Sequence, residues 1–236
     1  MVEGPAPLAG DAAAAAREDF WAALSPEDAS ALARAAVRRS FARGRALLHE
    51  GQVADRVLLL RTGRVKVTSN TTGREVVLAF RGPGELVGEQ SALDEEPRSA
   101  SVVAVEPVEA LALSPSQFRA FLAEHPAAAL TLLGMLSRRL RDADAKRVEF
   151  TTFTTIERVA GRLLELARRF GQRDADGAIL IALPISQEEL AGATGASLES
   201  VGRALQTMRS VKCIETSRRR IRVLNMDALE ALRRVS

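Results

Sequence analysis

The 236-residue sequence predicts an α+β protein: an antiparallel β-barrel or sandwich, then a long helix, then a second domain built on a helix-turn-helix with a hairpin wing. Three observations predict it. From Phe41 to Leu113, glycines at 44, 51, 63, 73, 82, 84 and 88 punctuate short β-branched runs such as Val65-Lys66-Val67 and Glu75-Val76-Val77-Leu78, the spacing of short antiparallel strands joined by turns. After Pro126 an apolar repeat of three and four residues replaces the strand pattern. Residues 185–208, ISQEELAGATGASLESVGRALQTM, then carry the start and turn signals of two short helices.

With 47% hydrophobic residues, a chain of this length can bury two modest cores. The net charge of +3 is unevenly spread: residues 151–236 hold 14 Lys and Arg against 10 Asp and Glu, whereas residues 1–150 hold 19 against 20. Basicity concentrated in the C-terminal third points to a polyanionic partner there. Cys213 is the one cysteine, which excludes an intramolecular disulfide and a cysteine-cluster metal site, fits a reducing compartment and reads as a core thiol. His49 and His125 stand far apart with no third histidine, so no metal is expected. No stretch approaches the roughly 20 apolar residues of a membrane span, and the first residues, MVEGPAPLAGDAAAAAR, lack a basic n-region. A soluble, cytoplasmic protein with no membrane partner and a mobile tail over residues 1–17 is expected.

Ser25-Pro26-Glu27-Asp28 combines a capping hydroxyl, a proline at the first helical position and acids in the first turn, and so starts a helix running to about Ala36 that Trp21 anchors. The first domain spans residues 18–125. In the helix over 126–150, Leu133, Leu136, Leu140, Ala143 and Phe150 fall on the repeat, with Arg147 the polar exception. So narrow a seam suits helix pairing, and a homodimer is expected; the alternative is that the seam packs on its own barrel. TTFTT, residues 151–155, is a hinge candidate. IERVAGRLLELARRF, residues 156–170, resumes an amphipathic helix that Gly171 would cap, opening a domain over 156–236.

In that domain Ser186 and Glu189 form an S-x-x-E capping box, Gly195 allows the positive φ of a tight turn, and Ser197 caps a second helix. Val201, Ala204, Leu205 and Met208 make its inward stripe. Ser197, Leu198, Glu199, Ser200, Arg203 and Gln206 make its outward face, where Glu199 could accept from a cytosine amine and Arg203 reach guanine or phosphate. The plain reading of Glu199 and Arg203 is a surface ion pair four residues apart. Residues 198–222, however, hold seven basic residues against two acids. Arg218-Arg219-Arg220 sits between two apolar runs, at the tip of a hairpin placed to contact phosphates. Double-stranded DNA is therefore the expected partner.

The order of barrel, long helix, hinge and winged helix-turn-helix over roughly residues 18–236 resembles the cyclic AMP receptor branch of the Crp/Fnr transcription regulators. GELVGEQSALDEEPRSAS, residues 84–101, resembles the phosphate-binding cassette of cyclic-nucleotide-binding domains. The resemblance implies a jelly-roll barrel for residues 18–125, a dimerisation helix for 126–150 and a cyclic nucleotide, cyclic AMP or cyclic GMP, as effector. It implies ligand roles for Gly88, Glu89, Arg98 and Ser99. Physical chemistry agrees: Gly88 permits close backbone approach, a helix starting there aims amides at an anion, Glu89 can accept from a ribose hydroxyl, and Arg98 can pair with phosphate oxygens. Gly84-Glu85 matches no ligand role and reads as a turn. The alternative is a structural Glu89–Arg98 salt bridge in a regulator with another ligand or none.

Two departures from the family pattern stand out. The pair of hydroxyl residues that meets adenine in the cyclic AMP receptor branch is here Ala143 and Asp144. Asp144 could accept from the adenine amine, accept from guanine, or remain solvated. On the recognition helix the family's arginine is here Leu198, so the pseudo-palindromic operator should differ. RNA polymerase is a further candidate partner. No nucleophile with a supporting base and no phosphate-cradling Walker loop occurs, so no catalytic residue and no enzyme activity are expected. A nucleotide-sensing module that regulates a partner protein is the reading from another class.

Overall fold

The computed structural model describes residues 19–71 and 74–233; the expected N-terminal tail, residues 1–17, lies outside them. Contacts divide the chain into two units, one ending at Arg141 and the other beginning at Asp142. The first opens with α1 (Pro26–Ala35), whose cap Ser25 accepts from the Asp28 amide at 3.0 Å. Eight strands follow: β1 (Val37–Phe41), β2 (Ala46–Leu48), β3 (Val57–Thr62), β4 (Val65–Thr71), β5 (Arg74–Arg81), β6 (Leu86–Val87), β7 (Ser101–Ala104) and β8 (Val108–Leu113). They form two antiparallel four-stranded sheets, β1-β8-β3-β6 and β2-β7-β4-β5. The expected double-sheeted architecture is present.

One run shows how the sequence builds this unit. Val57-Leu58-Leu59-Leu60 in β3 has no polar alternation and is buried throughout. Leu58 and Leu60 face the layer between the sheets, with Leu48, Val65, Val102 and Ala110. Val57 and Leu59 face the other way, under Leu32, Phe118, Phe121, Leu132 and Met135 of the covering helices. A strand buried on both faces needs a continuous apolar run. The covering helices are α1 together with α2 (Gln90–Asp94), α3 (Pro115–Glu124) and α4 (Pro126–Thr152), and α3 meets α4 at 114° across His125. His125 is half-buried at this corner: its Nδ1 lies 2.6 Å from Asp28 Oδ1 and its ring stacks on Phe121.

Helix α4 has two apolar faces. Ala128, Leu132 and Met135 are buried against the sheet, each large one worth about 1.5–3 kcal/mol relative to exposure. On the seam residues, Leu133 is 61% and Leu140 64% exposed, while Leu136 is partly buried against the helical core. The helix thus covers its own barrel with one face and leaves much of the expected seam uncovered. Phe150, expected in that seam, lies against the turn of the second unit: a Cβ at Gly195 would stand 2.6 Å from its ring.

The second unit holds α5 (Thr155–Phe170), β9 (Gly171–Arg173), β10 (Ile179–Ile181), α6 (Gln187–Thr194), α7 (Leu198–Ser210), β11 (Ile214–Ser217), β12 (Arg220–Val223) and α8 (Met226–Arg233). Its antiparallel sheet runs β11-β12-β10-β9. Only Phe153 and Thr154 separate α4 from α5, and Glu157 Oε2 accepts from the Thr154 amide and hydroxyl at 2.6 and 2.5 Å. Gly171 follows α5 as expected but is extended, with φ −75°. Glycine is needed there for space, because a Cβ would fall 2.0 Å from the Ala167 carbonyl oxygen. Cys213 is buried, and burial pushes its thiol pKa up, which keeps it an unreactive core thiol.

Candidate nucleotide site and nucleic-acid interface

In the first unit, Gly88 adopts φ +79° at the end of β6, and Glu89 stands at the head of α2. The residue after the strand must therefore turn through the left-handed region that glycine enters without strain. It must also be small. A Cβ on Gly88 would lie 2.6 Å from Arg98 Nη1 and 2.6 Å from Leu48 Cδ1. The space that glycine leaves is filled by the Arg98 guanidinium, whose Nη1 donates to the Gly88 carbonyl at 2.7 Å. Its Nη2 donates to the Arg56 carbonyl and lies 3.4 Å from Asp55 Oδ1.

Arg98 is thus seated by backbone carbonyls, with its side chain 3% exposed. Arg56 pairs with Asp55 as well, donating from Nε at 2.7 Å, and holds the Asp55 carboxyl below the usual carboxylate range. Glu89, with its side chain 4% exposed, does not pair with Arg98: its Oε1 accepts from Arg139 Nη1 of α4 at 2.6 Å. The structural Glu89–Arg98 salt bridge weighed from the sequence is therefore not what these residues form. Ser99 is exposed, with Oγ 3.5 Å from Gln90 Oε1.

Arg139 was not foreseen. Its Nη2 donates to the Leu86 carbonyl at 3.0 Å and lies 3.7 Å from Glu85 Oε1. Glu85 is buried, accepts from the Gly82 amide at 2.7 Å and lies 3.4 Å from Arg81 Nε. Gly84 does form the expected turn, at φ +83°, but Glu85 belongs to a buried charge cluster around Arg139. A signal existed: Arg139 continues the Ala128, Leu132, Met135 stripe by four residues, and a cation on a buried helical face needs an acid beneath it. The remaining expected ligand residues, Ala143 and Asp144, belong to the second unit, where both are exposed and Asp144 Oδ1 lies 3.9 Å from Arg147 Nη1.

In the second unit the helix-turn-helix forms as expected. Ser186 Oγ accepts from the Glu189 amide at 3.1 Å, and Glu189 Oε2 accepts from the Ser186 amide at 2.8 Å. Gly195 ends α6 at φ +59°, and Ser197 Oγ accepts from the Ser200 amide at 3.1 Å to start α7. Val201, Ala204, Leu205 and Met208 are buried. Ser197, Leu198, Glu199, Arg203 and Gln206 are exposed and Ser200 half-buried. Arg203 Nη1 donates to Glu199 Oε1 at 2.8 Å, and both side chains stay solvated, at 67% and 76% exposure. Ser197 and Ser200 bond each other at 2.9 Å, so their hydroxyls serve the helix start.

Arg218 and Arg219 form the two-residue turn of the wing and Arg220 begins β12; all three are exposed. Arg219 takes φ +56°, which tightens the turn. Arg209 Nη1 donates to Thr216 Oγ1 at 2.8 Å, joining α7 to the wing. Arg222, on the other hand, is committed internally: it donates to Asp174 Oδ2 at 2.8 Å, to Asp176 Oδ2 at 3.0 Å and to Glu215. It braces β12 and is not available to a phosphate. Among the described residues no cluster of acids, histidines and cysteine suits a metal, and no single helix is long and apolar enough to cross a membrane.

Known proteins agree with both halves. A family model described as the cyclic nucleotide-binding domain matches residues 38–125, and one described as the Crp-like helix-turn-helix domain matches residues 157–232. The chain is 33% identical over 191 residues to a CRP-like cAMP-activated global transcriptional regulator of Mycobacterium tuberculosis, covering 80% of this chain and 85% of that one. It is 35% identical over 186 residues to a cyclic AMP receptor protein of Thermus thermophilus, covering 78% and 82%. The solved structure of FixK2 from Bradyrhizobium japonicum superposes with a TM-score of 0.73 at 25% identity, covering 85% of this chain and 98% of that one. The chain has the cyclic-nucleotide-binding and DNA-binding domains of a transcription regulator and is not an enzyme. It belongs to the Crp/Fnr family of transcription regulators.

Proposed function

We propose that the protein is a cytoplasmic homodimer whose affinity for a pseudo-palindromic operator is set by cyclic AMP. The observation that carries the reading is the buried cassette: the Arg98 guanidinium seated under Gly88 and the buried Glu89 at the head of α2. Arg98 takes the nucleotide phosphate, Glu89 the ribose 2′-hydroxyl, and Gly88 and Ser99 complete the cradle. Arg139 orients Glu89 for that contact. The names of the Mycobacterium tuberculosis and Thermus thermophilus relatives favour cyclic AMP. The homodimer rests on the exposed ridge of Leu133, Leu140 and Ala143, which a second copy of α4 would cover. In such a dimer Ala143 and Asp144 meet the base of the nucleotide, and two α7 helices read major grooves about 34 Å apart.

Ligand and operator affinities are then coupled, and reciprocally so. Calorimetry with cyclic AMP and cyclic GMP, beside operator titrations with and without each, tests the reading. Cyclic AMP should bind the wild type, tighten the operator by at least about five-fold and fail to bind Arg98→Leu. Equal operator affinity with and without saturating nucleotide overturns the sensory half, and a cyclic GMP response alone reassigns the base to Asp144.

A further inference from the structure

The loop over residues 49–56, between β2 and β3, closes around Arg98. Its Gly51 amide donates to the Arg98 carbonyl and its Gln52 carbonyl accepts from the Arg98 amide, both at 2.8 Å. So tied, the loop brings Asp55 and Arg56 against the guanidinium. A guanidinium has five N–H donors. On Arg98 the carbonyls of Gly88 and Arg56 take two, and a third, on Nη2, faces Asp55 Oδ1 at 3.4 Å. The carbonyls belong to the backbone and stay where it places them. Asp55 differs on two counts: its side chain is 56% exposed, and it is the single acid within ion-pair distance of Arg98 among the described residues.

The Asp55 carboxylate is shared unevenly. Its Oδ2 accepts from Arg56 Nε at 2.7 Å and from Arg56 Nη2 as well, whereas Oδ1 stands 3.4 Å off Arg98. Asp55 therefore lies between two guanidinium groups and is drawn chiefly to the more exposed one. A carboxylate and a cyclic phosphate each present one negative charge on a pair of oxygens, so both suit the same N–H groups. Two anions brought to one cation also repel each other. We propose that Asp55 competes with the nucleotide phosphate for the Arg98 guanidinium, and that Arg56 limits the competition by holding the carboxylate. The two residues together set how tightly the site takes its ligand. The inference rests on Arg98 taking the phosphate.

The test is calorimetry on the full chain with cyclic AMP and cyclic GMP, which share the phosphate. It compares the wild type with Asp55→Asn, Arg56→Gln and the double variant. Asp55→Asn keeps the shape and removes the charge, and should tighten the bound nucleotide by about five-fold, the scale of one partly solvated ion pair. Arg56→Gln releases Asp55 toward Arg98 and should weaken the nucleotide by about as much. In the Asp55→Asn background the same substitution should change nothing, because the group it released is gone. A gain in affinity cannot come from a chain that fails to fold, and Arg56 bonds Arg98 through its carbonyl, which the substitution keeps. Unchanged or weaker binding in Asp55→Asn overturns the competition. An Arg56→Gln loss that persists without the Asp55 charge means that Arg56 meets the ligand itself, and overturns the restraint. A wild type that binds neither nucleotide better than Arg98→Leu does overturns the phosphate-site reading, and this inference with it.

Discussion

The candidate nucleotide cassette and the candidate operator face each set an acid and an arginine close together in sequence, and the protein treats the two sets in opposite ways. Glu89 and Arg98 are 4% and 3% exposed and are held apart, one by Arg139 and the other by the carbonyls of Gly88 and Arg56. Glu199 and Arg203 are 76% and 67% exposed and hold only each other and Ser200. Buried charges cannot be left without partners, so the geometry around Glu89 and Arg98 is part of the fold. A solvated pair is worth well under about 1 kcal/mol and can exchange its partner for a base edge or phosphate at little cost. Preorganisation belongs to the sensing unit, and availability to the reading unit.

The largest effect should come from Arg139→Ala, which takes the cation away from the buried Glu89 and leaves Glu85 with Arg81. A loss of about 3 kcal/mol or more in denaturant unfolding of the first unit is expected; a loss under about 0.5 kcal/mol would mean that the cluster does not organise the cassette. Next, Gly88→Ala places a methyl against Arg98 at a positive φ, costing about 1–3 kcal/mol and weakening cyclic AMP in calorimetry; unchanged affinity would break the link between Gly88 and the Arg98 seat. On the other side of the comparison, Arg219→Ala should leave melting within about 0.5 kcal/mol of wild type and lower the salt slope of operator binding by about one.

The smallest effect concerns acid. Asp174 bonds Arg222, which holds its carboxyl below the ordinary aspartate value. A lowered native pKa contributes stability that is present above the unfolded value, near pH 3.9, and is lost as pH falls through the native one. Acid melting of the second unit should therefore be shallower in Asp174→Asn, and indistinguishable profiles would remove that brace from the account.

Much of the fold was legible because its signals are local. Ser25, Ser186 and Ser197 each cap a helix by bonding an amide three residues ahead, so a short stretch of sequence contains the whole interaction. The turn at Gly195 and the arginine wing are equally local. Gly88, Glu89 and Arg98 were legible as a pattern, but their partners were not. Glu89 finds Arg139 across 50 residues, and Arg98 finds Asp55 across 43. Phe150 carried the spacing of a seam residue, and nothing in its own turn announces Gly195 as its neighbour.

By itself the sequence determined where helices begin, where strands turn, that two domains follow one another, and which stretch resembles a phosphate-binding cassette and which carries the basic wing. Hydrogen bonds spanning three or four residues and the period of the apolar pattern decide those things, and both are written along the chain. The tertiary structure alone decided that Arg139 lies beneath Glu89, that Gly88 makes room for a guanidinium, and that Arg222 is committed to acids while Arg219 is not. Those outcomes depend on which charges are removed from water together, and burial is a property of the packed chain.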